Sequence, residues 1–253
     1  MPLPVISQRC GSVHVEGRYV AGPEAHDSAN LCDVVETAFG ARAIIGEVHG
    51  HALAAPELAG AIEVAFGELA RHEPQLPGLA QRLNAFVADQ AGGSDASFAS
   101  VSLVQIGVGG DTAELLVCSH TVPLVMRAGG VRPAPVLDVD PLLGLWRAGA
   151  DWCSPTIVDL SVGDALLLYT RGVHETRDAL GELYPFERRA GELSCEDPRV
   201  LLARLESELL AHSGGWAGAE LTLLLLRAEE PGFLGYTLDG MSSERLGNHS
   251  PFP

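Results

Sequence analysis

From Ser97 to Leu168 the apolar residues fall in short strand-length runs separated by turn residues. Phe98–Ile106 and Thr112–Cys118 are separated only by the turn residues Gly107 to Asp111, which predicts a hairpin. Pro123–Arg127 and Val131–Pro133, around Ala128-Gly129-Gly130, predict a second. Ser154–Leu160 and the apolar Ala165–Thr170, joined through Val162-Gly163-Asp164, predict two more strands, the last lying mid-sheet. Parallel neighbours need a crossover of a dozen or more residues, usually a helix, and none is available here. The sheets are therefore expected to be antiparallel.

Helical spacing flanks this run. Leu53 to Arg71 places Leu58, Ile62, Ala65, Phe66 and Leu69 on one face. Pro74 and Pro77 break it, and Leu76 to Gln90 repeats the pattern with Leu79, Leu83, Phe86 and Val87. Pro198–His212 predicts a third helix and Glu220–Arg227 a final apolar strand. Upstream, Ser12–Val20, Leu31–Glu36 and Ala41–Ile45 read as strands, and a tight turn at Gly46 and Gly50 is expected to feed the first helix. Residues 1–11 are expected to be a loose lead-in, 12–228 one domain, and 229–253, rich in Gly, Pro and Ser, a flexible tail. Strands and helices are segregated along the chain, which favours an α+β fold: two antiparallel sheets with helices outside.

Composition narrows the function. The formal net charge is −17, and all 16 basic residues are Arg. Such a chain is a poor electrostatic match to nucleic acid or anionic lipid. It has no apolar run long enough to span a membrane, and Met1-Pro2-Leu3-Pro4 lacks the pattern of a signal peptide. The five cysteines form no Cys-x-x-Cys pair, which argues against a zinc cluster or disulfide framework and for reduced, cytoplasmic thiols.

Six segments, taken together and in order, resemble the SpoIIE-like branch of the metal-dependent (PPM, protein phosphatase type 2C) serine/threonine phosphatases. Ile45-Gly46-Glu47-Val48-His49-Gly50-His51-Ala52 resembles I-G-D-V-x-G-H-G, and Phe98-Ala99-Ser100-Val101 resembles F-A-T-x. Cys118-Ser119-His120-Thr121-Val122-Pro123-Leu124 resembles N-A-G-H-x-P-x-L, and Leu142-Leu143-Gly144-Leu145 resembles P-L-G-L. Val162-Gly163-Asp164 through Thr170-Arg171-Gly172-Val173-His174-Glu175-Thr176-Arg177-Asp178 resembles P-G-D through T-D-G-V-x-E-A-R-D. Ala219-Glu220-Leu221-Thr222-Leu223-Leu224 resembles D-D-x-T-L-L. The resemblance implies a four-layer α-β-β-α sandwich and two manganese or magnesium ions, held by aspartates, that activate a water against phosphoserine or phosphothreonine.

The chain departs from that pattern at the ligands. Asn30, in Ser28-Ala29-Asn30-Leu31-Cys32-Asp33, stands where the first aspartate belongs. Glu47 takes the central position, with Val48 offering only its carbonyl. Arg171 replaces the aspartate of T-D-G, Ala219 replaces one of the D-D pair, and Glu220 stands for the other. At Asn30, Glu47, Arg171 and Ala219 the formal charges cancel, where the family pattern has four carboxylates. A guanidinium beside a dication is repulsive, so the expectation is a pseudophosphatase with no metal and no catalytic residue, in which Arg171 swings into the vacated site and pairs with Glu47. His49, His51 and Arg171 are the candidate anion contacts. An alternative is an imidazole-rich metal site rebuilt from His49, His51, His120 and His174. Two further readings are an active but atypical phosphatase using Asn30, Glu47 and Glu220, and an anion or small-ligand sensor. The resemblance also implies a protein partner (an anti-sigma factor, its antagonist or a paralogous phosphatase) and a dimer or switch face on helices 53–71 and 76–90.

Overall fold

The computed structural model describes residues 6–22, 28–50, 54–91, 97–146, 155–215 and 219–230. Strands β1 (Ser7–Cys10), β2 (Val13–Val20), β3 (Ser28–Thr37) and β4 (Gly40–His49) lead into helices α1 (Ala54–His72) and α2 (Leu76–Gln90). Strands β5 (Phe98–Ile106), β6 (Thr112–Cys118), β7 (Leu124–Arg127), β8 (Gly130–Pro133), β9 (Thr156–Asp159) and β10 (Ala165–Tyr169) follow. Helices α3 (Arg171–Glu175), α4 (Phe186–Glu192) and α5 (Pro198–His212) and strand β11 (Leu221–Ala228) complete the described chain. One sheet has the order β1-β2-β11-β10-β7-β8 and the other β3-β4-β5-β6-β9, with all strand pairs antiparallel.

Period-2 alternation sorts side chains into layers. On β4, Ile44 and Val48 face α1 and α2 together with Leu31, Ile62, Phe66 and Leu83. Ala43 and Ile45 face the opposite sheet, against Val15, Leu166, Leu168, Leu224 and Leu226. The other sheet's outer face, with Leu167, Leu223 and Leu225, is covered by Phe186 and Ala190 of α4 and Leu201, Leu205 and Leu209 of α5. Three apolar layers between four structural layers give the α-β-β-α sandwich. Each fully buried Leu or Phe contributes about 2 kcal/mol.

Three expectations need correction. The lead-in 1–11 contains strand β1, whose residues pair with β2 from Ser7↔Glu16 to Cys10↔Val13. The turn at Gly46 is not a turn: Gly46 lies inside β4, opposite Leu31 and Val101. A Cβ there would stand 2.3 Å from the Ser100 carbonyl oxygen, so the glycine serves close strand approach. The mixed charge of 182–196 predicts a surface flap, but the stretch holds α4, because Phe186, Ala190 and Leu193 recur at helical spacing and are buried. Of the tail, Glu229 and Glu230 are described, and Glu229 pairs with Arg9 at 2.9 Å; residues 231–253, like His51 and Cys153, lie outside the described residues. Among those described, no helix is long and apolar enough to cross a membrane.

Strand β3 ends its sheet, and side chains from distant elements cap its free edge. The Asn30 N–H donates to Glu220 Oε2 at 2.9 Å and the Cys32 N–H to Glu63 Oε1 at 2.9 Å. Gln8 Nε2 donates to the Val34 carbonyl at 3.2 Å. An edge sealed in this way has few free groups to offer another chain.

Candidate functional site

At one end of the space between the sheets the inward-facing positions turn from apolar to polar. Asn30, Glu47 and Ser100 are register partners across β3, β4 and β5. Opposite them stand Tyr19, Thr222, Glu220 and Thr170, the last at the N-terminus of α3. Asn30 is brought to Glu47, as the motif spacing implies, and it is bonded to the second sheet. Asn30 Nδ2 donates to Thr222 Oγ1 at 2.9 Å and Thr170 Oγ1 at 3.3 Å, and the Thr222 N–H donates to Thr170 Oγ1 at 3.0 Å.

Glu220 is engaged on both oxygens. Oε1 accepts from the Tyr19 hydroxyl at 2.8 Å and Oε2 from the Asn30 N–H. Burial, and then this hydrogen bond, hold the Tyr19 hydroxyl well above its ordinary pKa. Glu47, 8% exposed, accepts the Arg171 backbone N–H on Oε1 at 2.7 Å. Its Oε2 stands 3.8 Å from Arg171 Nε. The guanidinium does not swing fully inward: 55% of the Arg171 side chain is exposed, and the contact is long and one-headed. The backbone amide is the nearer partner because Thr170, between β10 and α3, is the N-cap that starts the helix and leaves the first N–H of α3 for the carboxylate. Gly172 lets α3 lie close against the segment that leads into β11, since a Cβ there would lie 2.6 Å from the Glu220 carbonyl oxygen.

Glu47, Ser100, Ser119, His120, Thr121 and Arg171 line a cavity of about 210 Å³. Ser119 sits at φ 50°, the one non-glycine with positive φ among the described residues, and donates to the Asp140 carbonyl at 3.1 Å. The position of Asp140 between hairpins predicts a solvated loop, but Asp140 is 1% exposed, because its N–H donates to the Val117 carbonyl at 2.8 Å and ties the loop to β6. Ser102 Oγ donates to the Thr121 carbonyl at 3.1 Å and lies 3.0 Å from His120 Nδ1. A hydroxyl has one proton, so Nδ1 carries the hydrogen between them, and Nε2 is a bare acceptor. That Nε2 is buried without a hydrogen-bond partner among the described residues. Burial first, and the Arg171 charge second, lower the His120 pKa to about 3.

This predicts a pH effect on stability. In the unfolded chain the imidazole titrates near its ordinary ~6.5. Above that pH it is neutral in both states and contributes nothing. As pH falls from about 6.5 towards 3 the unfolded state takes up a proton that the folded state refuses, so stability falls by up to about 1.4 kcal/mol per unit. Asp33 and Glu63, raised by burial, act in the opposite sense. Urea midpoints at pH 7 and pH 5 are expected to differ less in His120→Asn than in the parent; equal slopes would refute the assignment.

The other histidines go elsewhere. The His49 ring lies 5.1 Å from Phe98, and burial lowers its pKa. His174 stacks on Tyr169 at 4.8 Å and meets Phe186 edge-on. Among the described residues no three His, Cys, Asp or Glu side chains converge to hold a metal ion. The donor set also does not suit a pair of hard dications, which take several anionic oxygens. Here Glu47 already binds an amide with a guanidinium beside it, Glu220 is doubly occupied, and Asn30 and Ala219 bring no charge.

The motifs did not single out Tyr19, Ser102, Thr170 or Thr222 as site residues. A readable signal exists: Ser100 and Ser102 share parity with buried Val104 and Ile106, and Thr222 with Leu224 and Leu226. Polar residues on an otherwise apolar strand face mark where the core opens into a site.

The profile of the family described as Stage II sporulation protein E (SpoIIE) matches residues 38–229. The structure of the RsbU and RsbW domains of Rv1364c from Mycobacterium tuberculosis is similar at 18% identity and a TM-score of 0.67, covering 91% of this chain and 64% of that one. The SiaA-PP2C domain of Pseudomonas aeruginosa matches at 12% identity and 0.68, covering 83% and 85%. The catalytic domain of the serine threonine protein phosphatase PstP, in complex with 2 manganese ions, matches at 13% identity and 0.62, covering 86% and 99%. At these identities the likeness shows the fold. No curated protein sequence matches the chain.

Proposed function

The chain belongs to the SpoIIE family of PPM-fold phosphatases, and from that premise we propose that it is a pseudophosphatase: a phosphatase fold without metal-dependent phosphoserine or phosphothreonine hydrolysis, acting by contact with other proteins. The observation that carries this reading is the central carboxylate. Glu47 Oε1 accepts the Arg171 N–H and Oε2 faces the Arg171 guanidinium, so the position that would hold a dication is served by a backbone dipole and a fixed cation.

The partner we propose is an anti-sigma factor, its antagonist or a paralogous phosphatase in a partner-switching circuit in the cytoplasm. The solved structure that contains RsbU and RsbW domains together supports this choice. The interacting domain is the sandwich from β1 to β11, and α1 and α2 are the proposed contact or dimer face.

The test is a phosphatase assay on a phosphoserine protein with manganese. Purified protein is expected to show no turnover above the Glu47→Ala variant. Manganese-dependent turnover that Glu47→Ala abolishes would overturn the proposal. A second reading, an anion sensor, rests on the exposed Arg171 side chain at a cavity that also holds Ser119 and Thr121. Titration of inorganic phosphate into parent protein and Arg171→Ala separates it from the first.

A further inference from the structure

The side of the sandwich away from β3 is built differently. Among the described residues strand β9 ends the same sheet and pairs only with β6. Among the described residues one side chain caps its backbone: Arg127 Nη2 donates to the Asp159 carbonyl at 2.5 Å. Its outward Ile157 is 55% exposed. Strand β8, which ends the other sheet, closes on Pro133, a residue without an N–H. Between β9 and the β7–β8 hairpin lies a cavity of about 580 Å³. Val125, Pro133, Pro135 and Ile157 supply apolar wall, and Arg127 and Arg132 supply charge.

The charge is unusual for this chain. At −17 net, an exposed cation normally finds a carboxylate nearby. Arg127 does so, with Asp164 Oδ2 3.4 Å from its Nε. Arg132 is exposed and forms no ion pair among the described residues. Asp159 also lines the cavity, but it forms no ion pair with Arg132, so Arg132 is the cation of this wall left to meet a ligand's carboxylate among the described residues. At physiological salt the Debye length is about 8 Å, so a ligand in the groove responds to these groups more than to the chain's overall charge.

We propose that β9 and this groove form a docking site for an extended peptide segment of a partner protein, one that alternates acidic with β-branched apolar residues. The segment adds a strand to the free edge of β9 through backbone hydrogen bonds. Its apolar side chains cover Ile157 and the proline wall, and its carboxylates meet Arg132 and Arg127. The proposal goes beyond loss of catalysis and stands whether or not the polar site hydrolyses phosphate.

The test uses fluorescence anisotropy with the whole chain and a short labelled peptide that alternates Asp or Glu with Val. Saturable binding is expected, weakening with added salt. Arg132→Glu and Ile157→Asp, both at exposed positions, are each expected to weaken it by on the order of tenfold, about 1.4 kcal/mol. Arg199→Glu, at the exposed start of α5, should leave it unchanged. A peptide with Lys in place of the acidic residues, or with backbone N-methyl groups facing β9, should bind far more weakly. No binding at millimolar peptide, equal binding of the Lys peptide, or affinity insensitive to both groove variants would overturn the proposal. So would a concentration-dependent dimer in sedimentation that Ile157→Asp abolishes, because it would assign the groove to a second copy.

Discussion

Arg42→Ala is expected to lower the melting temperature by roughly 10 °C or more, the largest stability loss of any single change in the chain. Arg42 is fully buried on β4, beneath the junction of α1 and α2. Its Nη1 donates to the carbonyls of Ala70, at 2.8 Å, and Glu73, and Nη2 donates to the Pro74 carbonyl at 2.8 Å. Nε and Nη2 both reach Gln105 Oε1, and the guanidinium lies 4.7 Å over the Phe39 ring. The last carbonyls of a helix lack donors, and Pro74 stops α1 from supplying them, so one side chain closes the helix end and fixes the turn into α2. Truncation orphans several buried acceptors, each at about 1–3 kcal/mol, and leaves a void in place of the side chain. Arg42→Lys keeps the charge but not the fork, and should fall between the two. Circular dichroism melts of the three proteins check this; a loss of only a few degrees in Arg42→Ala would show that water replaces the guanidinium.

The second large effect is a gain. Asn30→Asp, Arg171→Asp and Ala219→Asp together are expected to bind manganese at least ~10³-fold more tightly than the parent. A unit charge at ~4 Å is worth about 4 kcal/mol at an effective dielectric near 20, and the three changes add four units of negative charge around Glu47. Isothermal titration with manganese checks it. Parent and triple variant binding equally would show that the scaffold, and not the ligand set, prevents loading. Arg171→Asp alone supplies two of those four units and is expected to fall between the parent and the triple variant.

The strands and long helices were legible because their apolar periods are strong: α2, β5, β6 and α5 fall at the expected residues. Gly46 misled because a glycine in a turn and a glycine under a crossing backbone look the same in one dimension. α4 was hidden because its apolar residues are sparse among Glu and Arg, although Phe186 and Leu193 are buried. At the site, the motifs located Asn30, Glu47, Arg171 and Glu220. They did not show that Thr170 and Thr222 bond the Asn30 side chain, because those contacts cross 140 and 192 residues of sequence. Nor did they show where the Arg171 side chain goes, which depends on how far α3 stands from β4.

The sealed edge of β3 has a consequence for synthesis. Glu63 follows Cys32 by 31 residues, but Glu220 follows Asn30 by 190. At about 5–20 residues per second the ribosome leaves that amide without its cap for roughly 10–40 s. Through that interval a nascent chain carries the first hairpin of its five-stranded sheet with one edge half open, beside neighbours on the same message in the same state. The residue that leads into β11, the last of the described strands, is thus also the one whose arrival protects the earliest part of that sheet from its sister chains.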